Sequence, residues 1–301
     1  MDDFIIRAKE LTKSYGKVRA IDNLSININK GGLIGLIGRN GSGKTTFMKL
    51  CAGLLDKNEG ELMVLNGEPM NNLEVSEKLV YTYHNIEYSK KIKLIDIIYS
   101  FKIMYKNFDE YFALKLLKFF DINSKDKYIQ LSQGMMSTFN FICALATRAE
   151  LTMLDEPVLG MDITVRKAAY EVLLRDYSEY PRTIIISSHI LSELEGMLSE
   201  ILLINKGKLL FYKDIEEIQQ IAYRADGRGD VLKDYCRDKK VLYSKIGEFD
   251  SFSIIYGKLT EELIDMTKAR NIALSKVRPE DLCGYLTQDH KEDELKCLWK
   301  K

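Results

Sequence analysis

The chain has 301 residues, of which 46% are hydrophobic and 29% are charged, a composition that excludes disordered and collagen-like proteins and favours a large globular domain with a smaller one. Its 44 basic and 44 acidic residues cancel to a net charge of zero, so no overall field attracts nucleic acid. The five cysteines form no CxxC pair, and no charge-free apolar run approaches the roughly 18 residues of a membrane span, so we expect a cytosolic chain without zinc or disulfides.

The first two thirds of the chain alternate strand-like and helix-like patterns. Residues 2–75 contain apolar runs of period two bounded by Gly and Asn, which predict β-strands, with a helix over Lys44–Leu55. From Ile92, apolar residues recur at helical spacing and predict a helical insert over about residues 86–150. Further strands are predicted over 151–155, 183–187 and 200–212, with helices over 163–178 and 190–199. This alternation predicts a largely parallel sheet covered on both faces.

The last third of the chain has a different composition. After Lys213, 34 of 88 residues are charged, against 54 of the first 213. We therefore expect two domains, at residues 1–213 and 214–301, the second a small α+β unit. Its sequence predicts a hairpin over 240–257, helices over 259–270 and 279–288, and a strand over 273–277.

The strongest motif is GLIGLIGRNGSGKTTF, in which Gly38, Gly43, Lys44 and Thr45 satisfy G-x-x-x-x-G-K-[ST] between a strand and a helix. Glycines permit the left-handed turns that aim successive backbone N–H groups at an anion. Lys44 would reach the terminal phosphates, and Thr45 would offer a magnesium ligand. The alternative is a glycine-rich turn with a surface lysine. We expect phosphate binding by the whole loop, which also contains Asn40, Gly41, Ser42 and Thr46.

A second motif is LTMLDEP, where a predicted strand delivers Asp155 and Glu156 to its carboxyl end, the edge at which open α/β sheets bind ligands. Asp155 suits a magnesium ion or its bound water. Glu156 suits a general base that polarises the attacking water. Taken alone, such a pair is more often a helix cap or a solvated turn, and the phosphate loop upstream reverses that preference.

A third segment, LSQGMMSTF, opens an apolar helix with Leu131, Ser132, Gln133 and Gly134. In isolation it is only a helix start capped by Ser132. The order phosphate loop, LSxG, LxxLDEP and SSHI, however, resembles the nucleotide-binding subunits of ATP-binding cassette transporters over residues 4 to about 212. The resemblance implies a P-loop NTPase of the α/β class. Such a fold has a RecA-like parallel sheet, an antiparallel β subdomain and a helical subdomain, and the resemblance implies ATP and Mg²⁺ as its cofactors.

The same resemblance implies roles for further residues. Tyr15 resembles the aromatic that stacks on adenine, the alternative being a tyrosine at a strand edge. His189 resembles the histidine that senses the γ-phosphate, where a lone histidine would usually pack or cap. Asp162 belongs to the loop, LGMD, that joins two sites across a dimer. Ser132 and Gly134 of one chain would then face the phosphate loop of the other.

Two positions depart from the family pattern. His84 stands where the family usually has a glutamine, and Gln133 stands where it usually has a glycine. A neutral imidazole at His84 could accept a hydrogen bond from a metal-bound water, whereas a protonated one would repel the metal. The alternative is that His84 merely packs, and that Asn85 or no residue serves in its place. Ser132 and Gly134 are retained, so binding of a γ-phosphate by hydroxyl and backbone N–H stays possible.

Together these features predict an ATPase subunit of a transporter, at the cytoplasmic face of the membrane. Its expected partners are separate transmembrane permease subunits and a second cassette, identical or different, and not nucleic acid. Exposed members of a group of six aromatics in the insert are expected to face a permease, the alternative being that the rings pack inside the insert. The six are Tyr88, Tyr99, Tyr105, Phe108, Tyr111 and Phe112. The ending KVRPEDLCGYLTQ resembles an accessory domain in exporters of antibiotics, peptides and other amphiphiles. The alternatives are a soluble cassette ATPase of translation or repair and a regulatory cassette that hydrolyses ATP weakly.

Overall fold

The computed structural model describes residues 4–83, 86–247 and 251–287. The chain divides into two compact units, Met1–Tyr212 and Lys213–Lys301. In the described ranges, no helix combines the length and the apolar character that crossing a bilayer requires.

The first unit begins with an antiparallel sheet of three strands in the order β2-β1-β4, which are β1 (Phe4–Tyr15), β2 (Val18–Asn29) and β4 (Glu59–Val64). Strand β1 pairs with both neighbours, and alternate side chains such as Ile6 and Ala8 are buried, as expected for a sheet with one face on the core. Tyr15 ends β1 at the turn into β2, where Gly16 has a left-handed φ of 57°. Tyr15, the residue expected to stack on adenine, therefore lies at the end of a strand.

A second sheet forms the centre of this unit, in the order β5-β6-β7-β3-β8-β9. Its strands are β3 (Leu33–Ile37), β5 (Leu79–Tyr83), β6 (Leu151–Asp155), β7 (Thr183–Ser188), β8 (Glu200–Asn205) and β9 (Lys208–Asp214). The pairings from β5 through to β8 are parallel, and β3, β6 and β7 are buried along their whole length. The predicted parallel core is confirmed. Its carboxyl ends share one edge.

In the described part of this unit, six α-helices accompany these sheets: α1 (Lys44–Cys51), α2 (Leu73–Ser76), α3 (Leu94–Met104), α4 (Glu110–Phe119), α5 (Gln133–Ala146) and α6 (Ile163–Glu179). The helices α3, α4 and α5 form the predicted helical insert. Helix α5 is buried on all sides from Ser137 to Ala146, because it packs on α4, α6 and strands β5 and β6. The other end of α5, which carries Ser132, is exposed.

The predicted helix over residues 190–199 is wrong. The structure has only a short 3₁₀ turn at Leu191–Glu193, followed by a turn into β8. Gly196 disfavours a continuous helix, and Leu198 packs directly over Gly35, where an added Cβ would lie 2.5 Å from its Cδ1. The run over 200–212 also differs, since it folds into two strands joined at Lys206 and Gly207, both with positive φ.

The second unit has the element order β-α-β-β-α-β, a split βαβ arrangement. Its elements are β10 (Ala222–Asp226), α8 (Gly229–Tyr235), β11 (Val241–Lys245), β12 (Phe252–Tyr256), α9 (Glu261–Lys268) and β13 (Ala273–Lys276). The sheet is antiparallel in the order β11-β12-β10-β13. Helix α7 (Ile215–Ile218) precedes these elements and α10 (Pro279–Thr287) follows them. The structure contains the predicted hairpin, α9, β13 and α10. The sequence did not predict β10 and α8.

Candidate functional site

The phosphate-loop motif forms a tight curl between β3 and α1. A Cβ on Gly38 would lie 2.4 Å from the carbonyl oxygen of Ile204 and equally close to the hydroxyl of Ser42. Gly43 has a left-handed φ of 112°, and a Cβ there would lie 2.5 Å from the carbonyl oxygen of Ala20. Both positions therefore require glycine. The curl leads directly into the N-terminus of α1, where free backbone N–H groups favour anions.

Lys44 is the first residue of α1 and is only 6% exposed. Its Nζ donates to the carbonyl oxygen of Gly38 at 2.7 Å and to that of Arg39 at 3.4 Å, and it lies 3.8 Å from Oε1 of Glu156. Burial lowers the pKa of Lys44, and the charges of Glu156 and Asp155 oppose that change. The ammonium group is thus held by acceptors at the base of the phosphate loop.

Asp155 ends β6 and is 3% exposed. Its Oδ1 accepts a hydrogen bond of 2.5 Å from the hydroxyl of Ser187, and its Oδ2 accepts one of 3.1 Å from the hydroxyl of Tyr81. Burial raises the pKa of Tyr81, and the charge of Asp155 raises it further, which keeps that hydroxyl protonated as a donor. Both oxygens of the carboxylate are therefore oriented by the neighbouring strands.

Glu156 follows Asp155 directly but points elsewhere, because its backbone is left-handed with φ of 50°. Its N–H donates to the hydroxyl of Ser187 at 2.9 Å. Its carboxylate lies between two cationic or polar groups, with Oε2 at 3.0 Å from Nδ1 of His189 and Oε1 facing Lys44. A non-glycine residue in this conformation is strained, and such strain is found at functional sites. The turn directs Glu156 into a cleft.

This cleft has a volume of about 540 Å³. Ten of the residues that the sequence predicted as site residues line it: Tyr15, Asn40, Gly41, Ser42, Gly43, Lys44, Thr45, Thr46, Glu156 and His189. Tyr15 is 50% exposed, so about half of its surface is accessible to a ligand. Ala20 and Leu159 complete the lining, and Ala20 is a residue for which the sequence offers no signal.

Five further predicted residues are among the described ones but do not line the cleft: Gly38 and Asp155, whose contacts are given above, and Ser132, Gly134 and Asp162. Ser132 caps α5 and accepts from the N–H of Met135 at 3.3 Å, which is the helix-start interpretation of that segment. Asp162 caps α6 by accepting from two backbone N–H groups at 2.9 and 3.0 Å. Gly134 lies against the loop after Glu156, since its Cβ would be 2.4 Å from the carbonyl oxygen of Gly160. His84 and its alternative Asn85 lie outside the described residues.

Two residues that donate hydrogen bonds to Asp155 were not predicted from the sequence. Ser187 lies within the ISSHI segment, two residues before His189, and connects Asp155 to the backbone of Glu156. A short polar run at the end of a buried strand is the only signal for it. Tyr81 precedes Asp155 by 74 residues, and no local pattern relates the two. Their contact depends on the order of strands in the sheet.

The donor groups in and beside the cleft are hard oxygen ligands, the Asp155 carboxylate and the Thr45 hydroxyl. The part of the chain that the structure describes contains no cluster of three or more His, Cys, Asp or Glu residues able to hold a metal. Mg²⁺ commonly binds through one or two carboxylates together with substrate phosphates and waters, and not in an all-protein cage. These residues therefore fit a magnesium ion that enters with a phosphate ligand.

Comparisons with known proteins agree on one family. Residues 21–159 match the family model described as ABC transporter. The chain is 28% identical over 219 residues to the ABC transporter ATP-binding protein YtrB of Bacillus subtilis (strain 168), covering 72% of this chain and 74% of that protein. It is 31% identical over 212 residues to the bacitracin transport ATP-binding protein BcrA of Bacillus licheniformis, covering 68% of each. A solved ATP binding subunit of an ABC transporter superposes with a TM-score of 0.64 at 20% identity, over 71% of this chain and 92% of that one, which indicates a shared fold.

Proposed function

Because this chain belongs to the ATP-binding proteins of ABC transporters, which hydrolyse ATP, dimerise and work with membrane permeases, we propose that it powers an exporter of peptides, antibiotics or other amphiphiles. The observation that carries the proposal is the cleft in which Lys44, Glu156 and His189 converge beside the phosphate loop. A loop of this kind binds phosphates, and a carboxylate held beside it can activate water.

We assign the steps of hydrolysis to residues of the cleft. Tyr15 stacks on the adenine, and the N–H groups of the phosphate loop with Lys44 bind the phosphates. Glu156 takes a proton from the attacking water as that water bonds to the γ-phosphorus, and the bond to ADP breaks. His189 holds the carboxylate of Glu156 through Nδ1. Asp155 and Thr45 would hold Mg²⁺, which would supply neutralisation of the phosphate charge.

We also propose that a second cassette completes the site. Ser132 is exposed and lies outside the cleft of its own chain, and it begins α5 together with Gly134. The hydroxyl of Ser132 and the N-terminus of a 14-residue helix are suitable ligands for a γ-phosphate held by another chain. ATP would then lie between two chains, and each hydrolysis cycle would open and close the dimer.

A mixing experiment tests the shared site. Lys44→Ala removes the ammonium group of the phosphate loop. Ser132→Arg replaces the hydroxyl that would face the other chain with a bulky side chain. Random pairing makes about half of the dimers mixed, and each mixed dimer has one intact site, so the mixture should recover about a quarter of the wild-type ATPase activity. The matched control mixes Lys44→Ala with Thr45→Ala, which leaves no intact phosphate loop and should recover nothing. A Lys44→Ala and Ser132→Arg mixture as inactive as its components would contradict the proposal.

Export is supported by the likeness to the bacitracin transport protein and by the unit after Lys213, which we propose as the accessory domain, residues 214–301, beside an ATPase domain of residues 1–213. The insert offers a surface for a permease at the cytoplasmic face of the membrane, because Tyr99, Ile103 and Met104 on one helix are exposed. Charged substitutions there should uncouple transport and spare ATPase activity. Four of the six aromatics expected on that surface are instead partly buried: Tyr88, Tyr105, Phe108 and Phe112.

A further inference from the structure

The register of the parallel strands sets three side chains abreast on one face of the sheet. Tyr83 of β5 is paired with Asp155 of β6, which is paired with Ser187 of β7. Tyr81 precedes Tyr83 by two residues and therefore shares its face. From this position the phenol ring of Tyr81 reaches forward, and its hydroxyl donates to Oδ2 of Asp155 at 3.1 Å.

Two hydroxyl groups donate hydrogen bonds to the carboxylate of Asp155 and orient it. The oxygen of Ser187 accepts from the N–H of Glu156, so the single hydroxyl proton is available to Oδ1 of Asp155 at 2.5 Å. Tyr81 occupies one acceptor position on Oδ2. Each carboxylate oxygen has about two acceptor positions, so one on each oxygen stays available to a cation or its water. The two donors determine the direction in which those positions point.

We propose that Tyr81 is a positioning residue that sets the affinity of the Asp155 site for its divalent cation, an inference that rests on the proposed ATPase function. Donors that orient a metal-ligating carboxylate raise metal affinity, and their loss commonly costs about 10- to 100-fold. Ser187 also supports the backbone of Glu156, whereas Tyr81 acts on the carboxylate of Asp155 alone among the described contacts. A substitution of Tyr81 should therefore change metal affinity without changing the position of the general base, Glu156.

The ring of Tyr81 is connected to the helix after the phosphate loop through Tyr83. It stacks on Tyr83 with ring centroids 5.4 Å apart, and the ring of Tyr83 lies 5.5 Å from Nζ of Lys49 on α1, the helix that follows the phosphate loop. The ring that carries the donor to Asp155 therefore packs on Tyr83 of the same strand, and Tyr83 in turn contacts Lys49 of α1. A displacement of β5 would change the hydrogen bond at Oδ2.

The test measures metal binding directly. In a Glu156→Gln background, which prevents turnover, the full-length chain is loaded with one equivalent of ATP and titrated with Mn²⁺, a substitute for Mg²⁺ whose free form is counted by electron paramagnetic resonance. Tyr81→Phe removes one hydroxyl and keeps the ring. We expect it to raise the Mn²⁺ dissociation constant about tenfold and to leave ATP binding in EDTA unchanged.

The matched control is Tyr83→Phe, which removes a hydroxyl from the same strand and face, one that makes no hydrogen bond to the Asp155 carboxylate among the described residues. We expect it to change the Mn²⁺ dissociation constant less than twofold. Unchanged Mn²⁺ affinity in Tyr81→Phe, or equal losses in both variants, would overturn the role of Tyr81. Failure of the parent chain to bind ATP at all would instead overturn the proposed function, and the two failures are distinguished by the EDTA measurement.

Discussion

Replacement of Glu156 by glutamine removes the proton acceptor proposed for hydrolysis and keeps the shape of the side chain. Glutamine keeps the length of the side chain and a hydrogen bond to Nδ1 of His189, now 3.0 Å from Oε2, but it cannot accept a proton from water. The backbone is unaffected, because both residues carry the same Cβ at the left-handed φ of 50°. The variant also removes the negative charge that faces Lys44 at 3.8 Å.

These contacts determine the expected size of the effect. Loss of a positioned general base lowers the rate by about 10²- to 10⁴-fold, which is about 2.7–5.4 kcal/mol of activation free energy. ATP binding should be unchanged or tighter, because the anionic phosphates no longer meet the carboxylate of Glu156 and Lys44 is released from it. The variant should therefore bind ATP, hydrolyse it slowly, and accumulate as a dimer in its presence.

The assay combines single-turnover hydrolysis at saturating ATP with size-exclusion chromatography in the presence and absence of ATP. Glu156→Ala is the control, since it removes the base and also leaves Nδ1 of His189 without its partner. Both variants should lose turnover, and only glutamine should preserve the arrangement around His189. A hydrolysis rate for Glu156→Gln within about tenfold of wild type would refute the assignment of the base.

Three further perturbations have definite expected outcomes. Tyr15→Ala should weaken ATP binding about five- to 150-fold and Tyr15→Phe should not, since stacking needs only the ring; equal affinities measured by ATP titration would contradict the adenine contact. Burial lowers the pKa of Lys44, and only the protonated ammonium group pairs with phosphate. ATP affinity should therefore begin to decline at a pH below ~10.4, where an ordinary lysine titrates. An ATP affinity that stays constant up to that pH would contradict the phosphate-binding role of Lys44. Gly134→Ala places a Cβ 2.4 Å from the carbonyl oxygen of Gly160. Urea denaturation should therefore show that the free energy of unfolding falls by about 1–3 kcal/mol, with ATP binding retained. Unchanged stability would mean that the loop at Gly160 moves aside without cost.

The parts of the fold that the sequence predicted are those whose signal is local. The strand before the phosphate loop is a short apolar run ended by glycine, and it is buried along its length as β3. The glycines of the loop are recognisable because steric contacts with Ala20 and Ile204 allow nothing larger at Gly43 and Gly38. The family resemblance built on these motifs is confirmed. The helix expected over 190–199 was wrong because Gly196 and the packing of Leu198 on Gly35 outweighed a helical spacing of leucines.

The parts that the sequence did not predict depend on contacts between distant segments. Whether the acidic pair acts as cap, turn or site is decided by the left-handed φ of Glu156, and no residue-type preference predicts that conformation for a glutamate. The orientation of Asp155 depends on the strand order, which brings Tyr81 and Ser187 to its two sides from 74 residues before and 32 after it. The hydrogen-bond partner of a hydroxyl on a strand can be predicted only when the neighbouring strand in the sheet is known. For this reason the phosphate loop can be recognised from a dozen residues, whereas the residues that orient Asp155 can be identified only from the register of three strands.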